Sequence, residues 1–185
     1  MRQRLRVPAS ERAEKSAAIV AQVAAHPAFS AAVTLAIFDA LPTEPDPAEL
    51  WQEALCPGRG ERRFCYPRVS GQEIVFFHVR TPDELAAAEW NPQIREPSFG
   101  EDSAVNPAEI DLILVPGLAF TRDGHRLGRG GGFYDRLLSR LPARTVKLGV
   151  CFDLQIVAQL PSEPHDQRMD AVVTERESIA AEPLR

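Results

Sequence analysis

A short apolar run that leads into a loop rich in glycine and arginine is the feature that most constrains the fold of this chain. Residues 111–115 are nearly all apolar and are followed by a proline and a glycine, which indicates a strand buried at the centre of a sheet. In the loop, Gly128, Gly130, Gly131 and Gly132 are expected to adopt positive φ angles and to present N–H groups without Cβ atoms in the way. The pattern predicts an anion-binding loop just beyond a buried strand.

Positive charge is concentrated around this loop. Residues 121–147 contain seven basic and two acidic side chains, a net charge of +5, whereas the whole chain carries −5. The remaining residues therefore sum to −10, so the positive field is local. Arg126 and Arg129 supply forked donors that suit phosphate or carboxylate oxygens. Nucleic-acid binding needs a broader basic surface, so we expect no nucleic-acid partner.

Length and cysteine content indicate one domain, residues 1–185, in a reducing compartment. A chain of 185 residues is long enough to bury a core without disulfides. Cys56, Cys65 and Cys151 are odd in number and lack metal-site spacing, so we expect reduced thiols and a cytoplasmic location. No window approaches the roughly 18 apolar residues of a membrane span, so we expect no membrane partner. We expect the chain to be a monomer.

Apolar periodicity and turn residues predict alternating helices and strands. The expected elements, in chain order, are a helix from Ser10 that ends at Pro27, a strand at 33–38, a helix opened by Asp46 and Pro47, a hairpin of 64–69 and 74–79, a loop at 81–107 with a short helix at 83–88, a strand at 111–115, a helix at 134–141, a strand at 146–152 and a short helix at 154–160. Pro67 interrupts the first hairpin strand, which we therefore expect at an edge of the sheet. The alternation indicates an α/β protein, in which ligands bind beyond the carboxyl ends of the strands.

The glycine loop fits neither of the common nucleotide-binding motifs. A dinucleotide fingerprint needs GxGxxG directly after the first strand, whereas about a dozen residues separate strand and glycines here. A Walker loop ends in GK[ST], whereas this loop ends in Gly132, Phe133, Tyr134 and Asp135. The residues alone leave two interpretations open: an anion site of another kind, and a glycine-rich surface turn with incidental arginines.

Several stretches of the chain resemble one known family. VPGLAF (115–120) and RLGRGGGFYDR (126–136) are similar to the signature of the 5-formyltetrahydrofolate cyclo-ligases, also known as methenyltetrahydrofolate synthetases. TLAIFDALPTEPDPAEL, RRFCYPRV and PHDQRMDAVVTE are similar to other parts of the family, and the resemblance runs from about Arg12 to Glu175. It implies a three-layer α/β/α fold of the CoA-transferase-like type with a mostly parallel central sheet. It also implies an enzyme that uses ATP and Mg²⁺ to convert 5-formyltetrahydrofolate (folinate) to 5,10-methenyltetrahydrofolate, with release of ADP and phosphate.

The resemblance also implies roles for particular residues. The ATP-binding residues would be Arg126, Leu127, Gly128, Arg129, Gly130, Gly131, Gly132, Phe133 and Tyr134, together with Arg2 and Arg6. The catalytic residues would be Arg126, Arg129 and Tyr134, the folate-binding residues Glu44, Asp39, Trp90 and Phe133, and the Mg²⁺ ligands Asp135 and Asp166. Structural alternatives stay open for three of these: a helix N-terminal acid for Asp135, a turn residue for Asp166 and an aromatic anchor for Trp90.

The N-terminus departs from the family pattern. Family members begin with a helix that carries Lys-x-x-x-Arg, whose cations reach the ATP phosphates, and residues 1–6 correspond to the tail of that helix. Arg2 and Arg6 have the i, i+4 spacing of one helix face, which leaves two alternatives open: these arginines substitute for the family's pair, or the natural start lies upstream of residue 1. We expect weakened ATP binding. Two other functions therefore remain as alternatives: a folate- and ATP-binding relative without turnover, and a different ATP-using enzyme on the same fold.

Overall fold

The computed structural model describes residues 7–54, 62–98, 100, 103–161, 163 and 166–181. The strands within these ranges are β1 (Thr34–Ala36), β2 (Arg63–Ser70), β3 (Glu73–Val79), β4 (Leu85–Ala88), β5 (Asn91–Pro97), β6 (Leu112–Pro116), β7 (Ala119–Phe120), β8 (Arg126–Leu127), β9 (Val146–Val150), β10 (Ala171–Val173) and β11 (Ser178–Ala180). The α-helices are α1 (Ala9–Ala25), α2 (Pro27–Ala31), α3 (Leu50–Ala54) and α4 (Phe133–Leu138).

Seven of the strands form one mixed sheet in the order β11-β10-β9-β6-β1-β2-β3. Neighbouring strands from β10 to β2 pair in parallel, and the two edge strands, β11 and β3, pair antiparallel. β6 lies at the centre of the sheet, which confirms the buried strand predicted at residues 111–115. Parallel pairing requires crossover connections, and these place helices over both faces of the sheet.

Side chains of β6 alternate between two apolar cores, one on each face of the sheet. Leu112 and Leu114 belong to the core that contains the apolar face of α1, whereas Ile113 and Val115 belong to the core that contains the end of α4. All four side chains are at most 1% exposed. The helix, sheet and helix layers confirm the predicted α/β/α class. None of the helices in the described ranges is long and apolar enough to cross a lipid bilayer.

The hairpin of β2 and β3 forms, but the prediction that its first strand is the edge is wrong. β2 lies between β1 and β3, and β3 is the edge strand. β1 pairs with β2 only over residues 63–65, so Pro67 lies beyond the end of β1. The N–H of Arg63 and the carbonyl of Cys65 form hydrogen bonds on the β1 side of β2. Backbone groups alternate in direction along a strand, so the backbone of Pro67 faces the same side, beyond the last residue that pairs with β1. The missing N–H of Pro67 therefore removes no hydrogen bond between β1 and β2.

The prediction of a loop with a short helix at residues 83–88 is also wrong. Pro82–Glu84 forms a single 3₁₀ turn, and β4 and β5 then pair as an antiparallel hairpin. In β4, the buried Leu85 and Ala88 enclose two exposed alanines. Pairing with β5 overrides the helix propensity of the alanine run, because it satisfies the backbone and buries Leu85 in the core.

Other elements are shorter than predicted. The helix expected at residues 134–141 is α4, six residues long, and the short helix expected at 154–160 is one 3₁₀ turn, Asp153–Gln155. Asp46 Oδ1 accepts from Ala48 N as a cap would, but α3 begins only at Leu50. The sequence patterns do not predict β10 and β11, because strands of three residues are too short to show an alternation.

Two glycines of the chain make room for one aromatic ring. Phe120 is fully buried, and a Cβ at Gly117 or Gly149 would lie 2.7 or 2.5 Å from its ring atoms. Gln155 Nε2 donates to the carbonyl oxygens of Gly117 and Leu118, at 3.0 and 3.1 Å. This packing holds the segment that leads from β6 to the glycine-rich loop against β9.

Gly149→Ala is expected to lower the free energy of unfolding by about 1–3 kcal/mol, because the added methyl would overlap the confined ring of Phe120. Urea unfolding followed by circular dichroism measures this change. Gly100→Ala is the matched control, since nothing lies within 4 Å of a Cβ at that position. An unchanged unfolding free energy for Gly149→Ala would show that the ring is free to move aside.

Candidate active site at the carboxyl ends of the central strands

The glycine loop, residues 128–132, lies beyond the carboxyl end of β6, and a small hairpin separates the two. β7 and β8 pair antiparallel, and Leu118 N donates to the Leu127 carbonyl oxygen at 2.8 Å. This hairpin accounts for the residues between the strand and the glycines. It also fixes the point at which the glycine loop begins.

The four glycines of the loop do not share one conformational role. Gly130 and Gly132 have φ angles of +95° and +64°, a left-handed conformation that disfavours side chains. Gly128 and Gly131 do not have positive φ; a Cβ there would lie 2.8 Å from Arg126 Nη1 and 2.7 Å from the Phe133 ring. The expectation of positive φ is therefore correct at two positions and wrong at the other two, where glycine makes room for a neighbouring side chain.

Arg126 forms an ion pair inside the site. Its side chain is 4% exposed, and Nη2 donates to both carboxylate oxygens of Asp135, at 2.8 and 2.9 Å. The guanidinium carbon lies 5.6 Å from the centre of the Tyr134 ring. Within the described part of the chain, Arg126 Nε is buried without a hydrogen-bond partner, which is uncommon for a polar atom. Arg126 and Asp135 thus hold each other, and contact of Arg126 with phosphate stays a prediction.

Arg129 bridges the glycine loop to the β1 loop, residues 40–49, which follows β1. Its Nη2 and Nε lie 2.8 and 3.3 Å from Glu44 Oε1, and Nη2 lies 3.5 Å from Thr43 Oγ1. The other Glu44 oxygen accepts from Leu41 N at 3.0 Å. The Glu44 side chain is 9% exposed, whereas that of Arg129 is 51% exposed. The structure therefore brings together one residue predicted for ATP and one predicted for folate.

Tyr134 and Phe133, which begin α4, have different neighbours. The pKa of the Tyr134 phenol is raised, first by burial and then by the nearby Glu44 carboxylate, while Arg126 acts in the opposite direction. Tyr134 therefore stays protonated at neutral pH and can donate a hydrogen bond. The ring of Phe133 lies 5.1 Å from the guanidinium carbon of Arg136. Tyr134 thus belongs with Glu44 and Arg126, and Phe133 packs beside the glycine loop.

Asp39, which follows β1, is engaged by Arg95 of β5. Asp39 Oδ1 accepts from Arg95 Nη2 at 2.7 Å and from Nε at 3.2 Å, and Oδ2 accepts from Arg95 N at 2.9 Å. This hydrogen bonding is the main reason why the pKa of Arg95 is raised. The Asp39 side chain is only 14% exposed. Its direct contact with folate stays a prediction, and its observed role is to tie the β4–β5 hairpin to the end of β1.

Trp90 lies in the turn between β4 and β5 and is 56% exposed, so it does not anchor the hairpin in the core. Its Nε1 donates to Glu96 Oε1 at 3.1 Å. The same oxygen accepts from Val69 N, on β2, at 3.0 Å. Glu96 itself is 9% exposed. An exposed indole is thus tethered by its one donor to a buried carboxylate.

A cavity of about 410 Å³ lies between α1 and the β1 loop. Its walls include Arg12 and Ser16 of α1 and Leu41, Glu44 and Asp46 of the β1 loop. Ser16 Oγ accepts from Asp46 N at 3.1 Å, which holds the β1 loop against the helix. A second cavity, of about 520 Å³, lies at the turn between β7 and β8, and none of the predicted site residues lines it. Glu44 therefore lines the first of these cavities, whose volume of about 410 Å³ is in the range that small-molecule ligands occupy.

Asp135 and Asp166, the predicted Mg²⁺ ligands, lie on different segments. Asp135 pairs with Arg126, and Asp166 Oδ2 accepts from Glu163 N at 2.7 Å. In the described ranges, no group of three or more His, Cys, Asp or Glu side chains could hold a metal ion by itself. Mg²⁺ usually takes one or two carboxylates and completes its shell with water and phosphate, so the donor chemistry of the two aspartates fits it. Arg2 and Arg6 lie outside the described residues.

Arg95 and Glu96, which hold two of the predicted residues, are not predicted from the sequence. Both lie on β5, in the segment interpreted as a loop. Side chains at successive strand positions point to opposite faces, and this explains how the two neighbours reach different partners. Apolar and polar residues do not alternate along Asn91–Pro97, so no local signal identifies the strand.

The fold and the site define an α/β protein with a glycine loop, arginines and facing carboxylates beyond the carboxyl ends of its central strands, the place where proteins of this class bind small molecules. A family model described as the 5-formyltetrahydrofolate cyclo-ligase family matches residues 1–175. The chain belongs to this family. The resemblance found in the glycine-loop signature is therefore confirmed.

Individual relatives agree with the family assignment. The 5-formyltetrahydrofolate cyclo-ligase of Mus musculus is 31% identical over 188 residues, which cover 95% of this chain and 90% of that protein. The protein of the same name from Escherichia coli (strain K12) is 32% identical over 151 residues, or 80% of this chain and 78% of the relative. The NMR structure of Aquifex aeolicus 5,10-methenyltetrahydrofolate synthetase, 33% identical, superposes with a TM-score of 0.81 and covers 99% of this chain and 89% of that chain.

Arg126→Ala and Arg129→Ala are expected to differ in stability, because the first arginine is buried and the second is half exposed. Arg126→Ala leaves Asp135 without its cation and should lower the free energy of unfolding by about 1–3 kcal/mol. Arg129→Ala should cost less, about 1 kcal/mol, because the lost side chain is half exposed and Glu44 keeps its hydrogen bond from Leu41 N. Urea unfolding of both variants measures the difference. Equal losses of unfolding free energy would show that the burial of the arginine does not set the cost of its removal.

Proposed function

We propose that this chain is an ATP- and Mg²⁺-dependent enzyme that converts 5-formyltetrahydrofolate to 5,10-methenyltetrahydrofolate, with release of ADP and phosphate. Family membership supports the reaction. The observation that carries the proposal is the ion pair between Arg129 and Glu44. It joins a cation of the glycine loop, suited to phosphate, to a carboxylate of the β1 loop, suited to a pterin. The two substrates would therefore bind side by side.

This reaction needs charge stabilisation and positioning more than a protein nucleophile. ATP transfers its γ-phosphoryl group to the formyl oxygen, and N10 of the folate then attacks the activated carbon as phosphate leaves. Negative charge must be stabilised on the phosphoryl oxygens in both steps. The half-exposed guanidinium of Arg129 and the backbone N–H groups of residues 130–132 supply donors for that charge.

Arg126 and Tyr134 are the other proposed catalytic groups. Arg126 has one donor, Nε, without a partner in the described part of the chain, and a phosphate oxygen would satisfy it. Tyr134 is a neutral phenol because its pKa is raised, so it can donate to an oxygen that gains charge. The remaining ATP contacts would come from Leu127, Gly128 and Phe133 beside the loop and from Arg2 and Arg6.

The β1 loop and the β4–β5 hairpin are proposed to bind folate. Glu44, which lines the cavity of about 410 Å³, would accept hydrogen bonds from the amide and amino groups of the pterin edge. Trp90 would offer the exposed face of its indole to a ring of the folate. Asp39 would act indirectly, because both of its carboxylate oxygens are engaged by Arg95.

Asp135 and Asp166 are the proposed Mg²⁺ ligands. The Asp135 side chain is 21% exposed, so it keeps access to an incoming ligand despite its pair with Arg126. A bound Mg²⁺ would neutralise charge on the ATP phosphates. Arg126 would also orient the Asp135 carboxylate through its two hydrogen bonds, of 2.8 and 2.9 Å.

We further propose that residues 1–185 act as one domain and as a cytoplasmic monomer. The seven-stranded sheet takes its strands from most of the length of the chain, Thr34 to Ala180. One copy of the chain supplies both the phosphate-binding and the folate-binding groups of the proposed site. Its partners would be small molecules rather than nucleic acid or a membrane.

The purified chain, incubated with 5-formyltetrahydrofolate, ATP and MgCl₂, is expected to form 5,10-methenyltetrahydrofolate and an equal amount of ADP. Near-ultraviolet absorbance of the methenyl product and chromatography of the nucleotides measure the two. Omission of ATP or addition of EDTA should stop the reaction. Binding of both ligands without product would instead support a non-catalytic relative, and ATP binding without folate binding would support a different ATP-using enzyme.

Glu44→Gln is expected to raise the KM for 5-formyltetrahydrofolate by roughly tenfold or more, because a charged acceptor for the pterin is lost. ATP binding should not weaken, since the substitution also releases Arg129. Glu109→Gln is the control, because this exposed carboxylate pairs with Arg63 at the start of β2, at the opposite ends of the parallel strands. Steady-state kinetics with each substrate separate the effects, and an equal rise in both KM values would contradict the division of roles.

A further inference from the structure

We propose that Glu96 is a positioning residue for the folate substrate: its buried carboxylate fixes the indole of Trp90 as a stacking surface and acts through Trp90 without touching the substrate. The inference rests on the proposed function for the identity of the ligand. The fixed orientation of the indole can be tested without any ligand.

The carboxylate of Glu96 is the centre of the arrangement. It is buried, and one oxygen, Oε1, accepts both from Trp90 Nε1 at 3.1 Å and from Val69 N at 3.0 Å. Val69 belongs to β2, so the contact joins the tip of the β4–β5 hairpin to a strand of the main sheet. Hydrogen bonds to a charged acceptor are stronger than neutral ones. The indole is therefore held to the sheet and not only to its own hairpin.

The exposure of Trp90 is hard to explain by packing alone. More than half of its surface is open to solvent, whereas a side chain that serves the core would bury it. The hydrogen bond to Glu96 uses the one donor of the indole, so the rest of the exposed surface is apolar and flat. A flat apolar surface held in one orientation loses little conformational entropy when a ring stacks on it. Folate carries two flat ring systems, a pterin and an aminobenzoyl group.

β5 has a second attachment, to the segment that follows β1. Arg95, adjacent to Glu96 on β5, holds Asp39 through four hydrogen bonds of 2.7 to 3.4 Å. Asp39 follows β1, and the β1 loop that carries Glu44 begins at the next residue. Two successive residues of β5 thus attach it to the end of β1 and to β2. These two anchors hold β5, and with it the adjoining turn that carries Trp90, to β2 and to the segment that leads into the β1 loop.

The first arm of the experiment measures the indole without substrate. The chain has two tryptophans, so 5-fluorotryptophan labelling gives two ¹⁹F resonances, and Trp90→Phe identifies one of them. Trp51, whose Nε1 donates to Tyr66 Oη at 2.9 Å, serves as the internal control. Glu96→Ala should shift and sharpen the Trp90 resonance toward that of a free indole and leave the Trp51 resonance in place. Glu96→Gln, which keeps an acceptor oxygen, should resemble the unmodified protein. An unchanged Trp90 resonance in Glu96→Ala would overturn the proposal.

The second arm measures kinetics with both substrates. Glu96→Ala should raise the KM for 5-formyltetrahydrofolate about 3- to 10-fold, with kcat and the KM for ATP unchanged, and Glu96→Gln should restore the KM to within about twofold. In a Trp90→Phe background, Glu96→Ala should have no further effect, because the residue acts through the indole. Additive KM effects, or a loss confined to kcat, would overturn the proposal.

The two arms separate the failure of this inference from the failure of the proposed function. If the unmodified chain forms no methenyl product, the proposed function fails, while the ¹⁹F comparison still decides whether Glu96 fixes the indole. Urea unfolding checks that each variant folds. Should Glu96→Ala not fold, Glu96→Gln is compared with Trp90→Phe. The proposal is supported if the KM of Glu96→Gln is close to that of the unmodified protein and the KM of Trp90→Phe is raised. It is overturned if the KM of Glu96→Gln is raised and that of Trp90→Phe is not.

Discussion

Burial of β6 on both faces is the constraint on which the rest of the structure depends. A strand whose side chains enter two cores must lie inside the sheet, and its neighbours β1 and β9 pair with it in parallel. In a parallel sheet, the segments that leave neighbouring strands emerge at the same edge. The glycine loop is reached from β6, and the β1 loop follows β1. Their contact through Arg129 and Glu44 is a consequence of this pairing, although the two residues are 85 positions apart.

The positive charge around the glycine loop is largely paired within the protein. The ion pairs of these arginines in the described part of the chain include Arg122 with Glu177, Arg126 with Asp135, Arg129 with Glu44 and Arg140 with Glu73. A phosphate that enters must compete with a carboxylate for a guanidinium, so a count of charges along the sequence overstates the attraction. For Arg129 and Glu44 the competition is mutual. A phosphate bound to Arg129 would release Glu44, and a ligand bound to Glu44 would release Arg129. Each ligand would therefore change the affinity of the protein for the other.

The β4–β5 hairpin acquires its place from contacts that no local pattern marks. Leu85 enters the core, Arg95 reaches Asp39 across 56 residues, and Glu96 reaches Val69 across 27. The second and third of these contacts each satisfy a charged or polar group that would be costly to leave without a partner. Together they attach the hairpin that carries the exposed Trp90 to the core and to the main sheet. The hairpin therefore covers the edge of the core and carries Trp90, one of the proposed folate-binding residues.

The sequence by itself determined the central strand, the α/β alternation, the glycine loop and its family signature. These features depend on residues close together in the chain: an apolar run, turn residues, and glycines at the two positions with left-handed φ, Gly130 and Gly132.

Only the tertiary structure decided which strand is the edge, where the short strands pair, and which partners hold Arg126, Asp39 and Trp90. Three residues carry too little pattern to mark a strand, and an alanine run with good helix propensity becomes β4 once β5 lies beside it. The ion pairs and the Glu96 contact likewise join distant segments. These contacts stabilise the protein only after the sheet has brought the segments together, so no local stretch of the sequence can predict them.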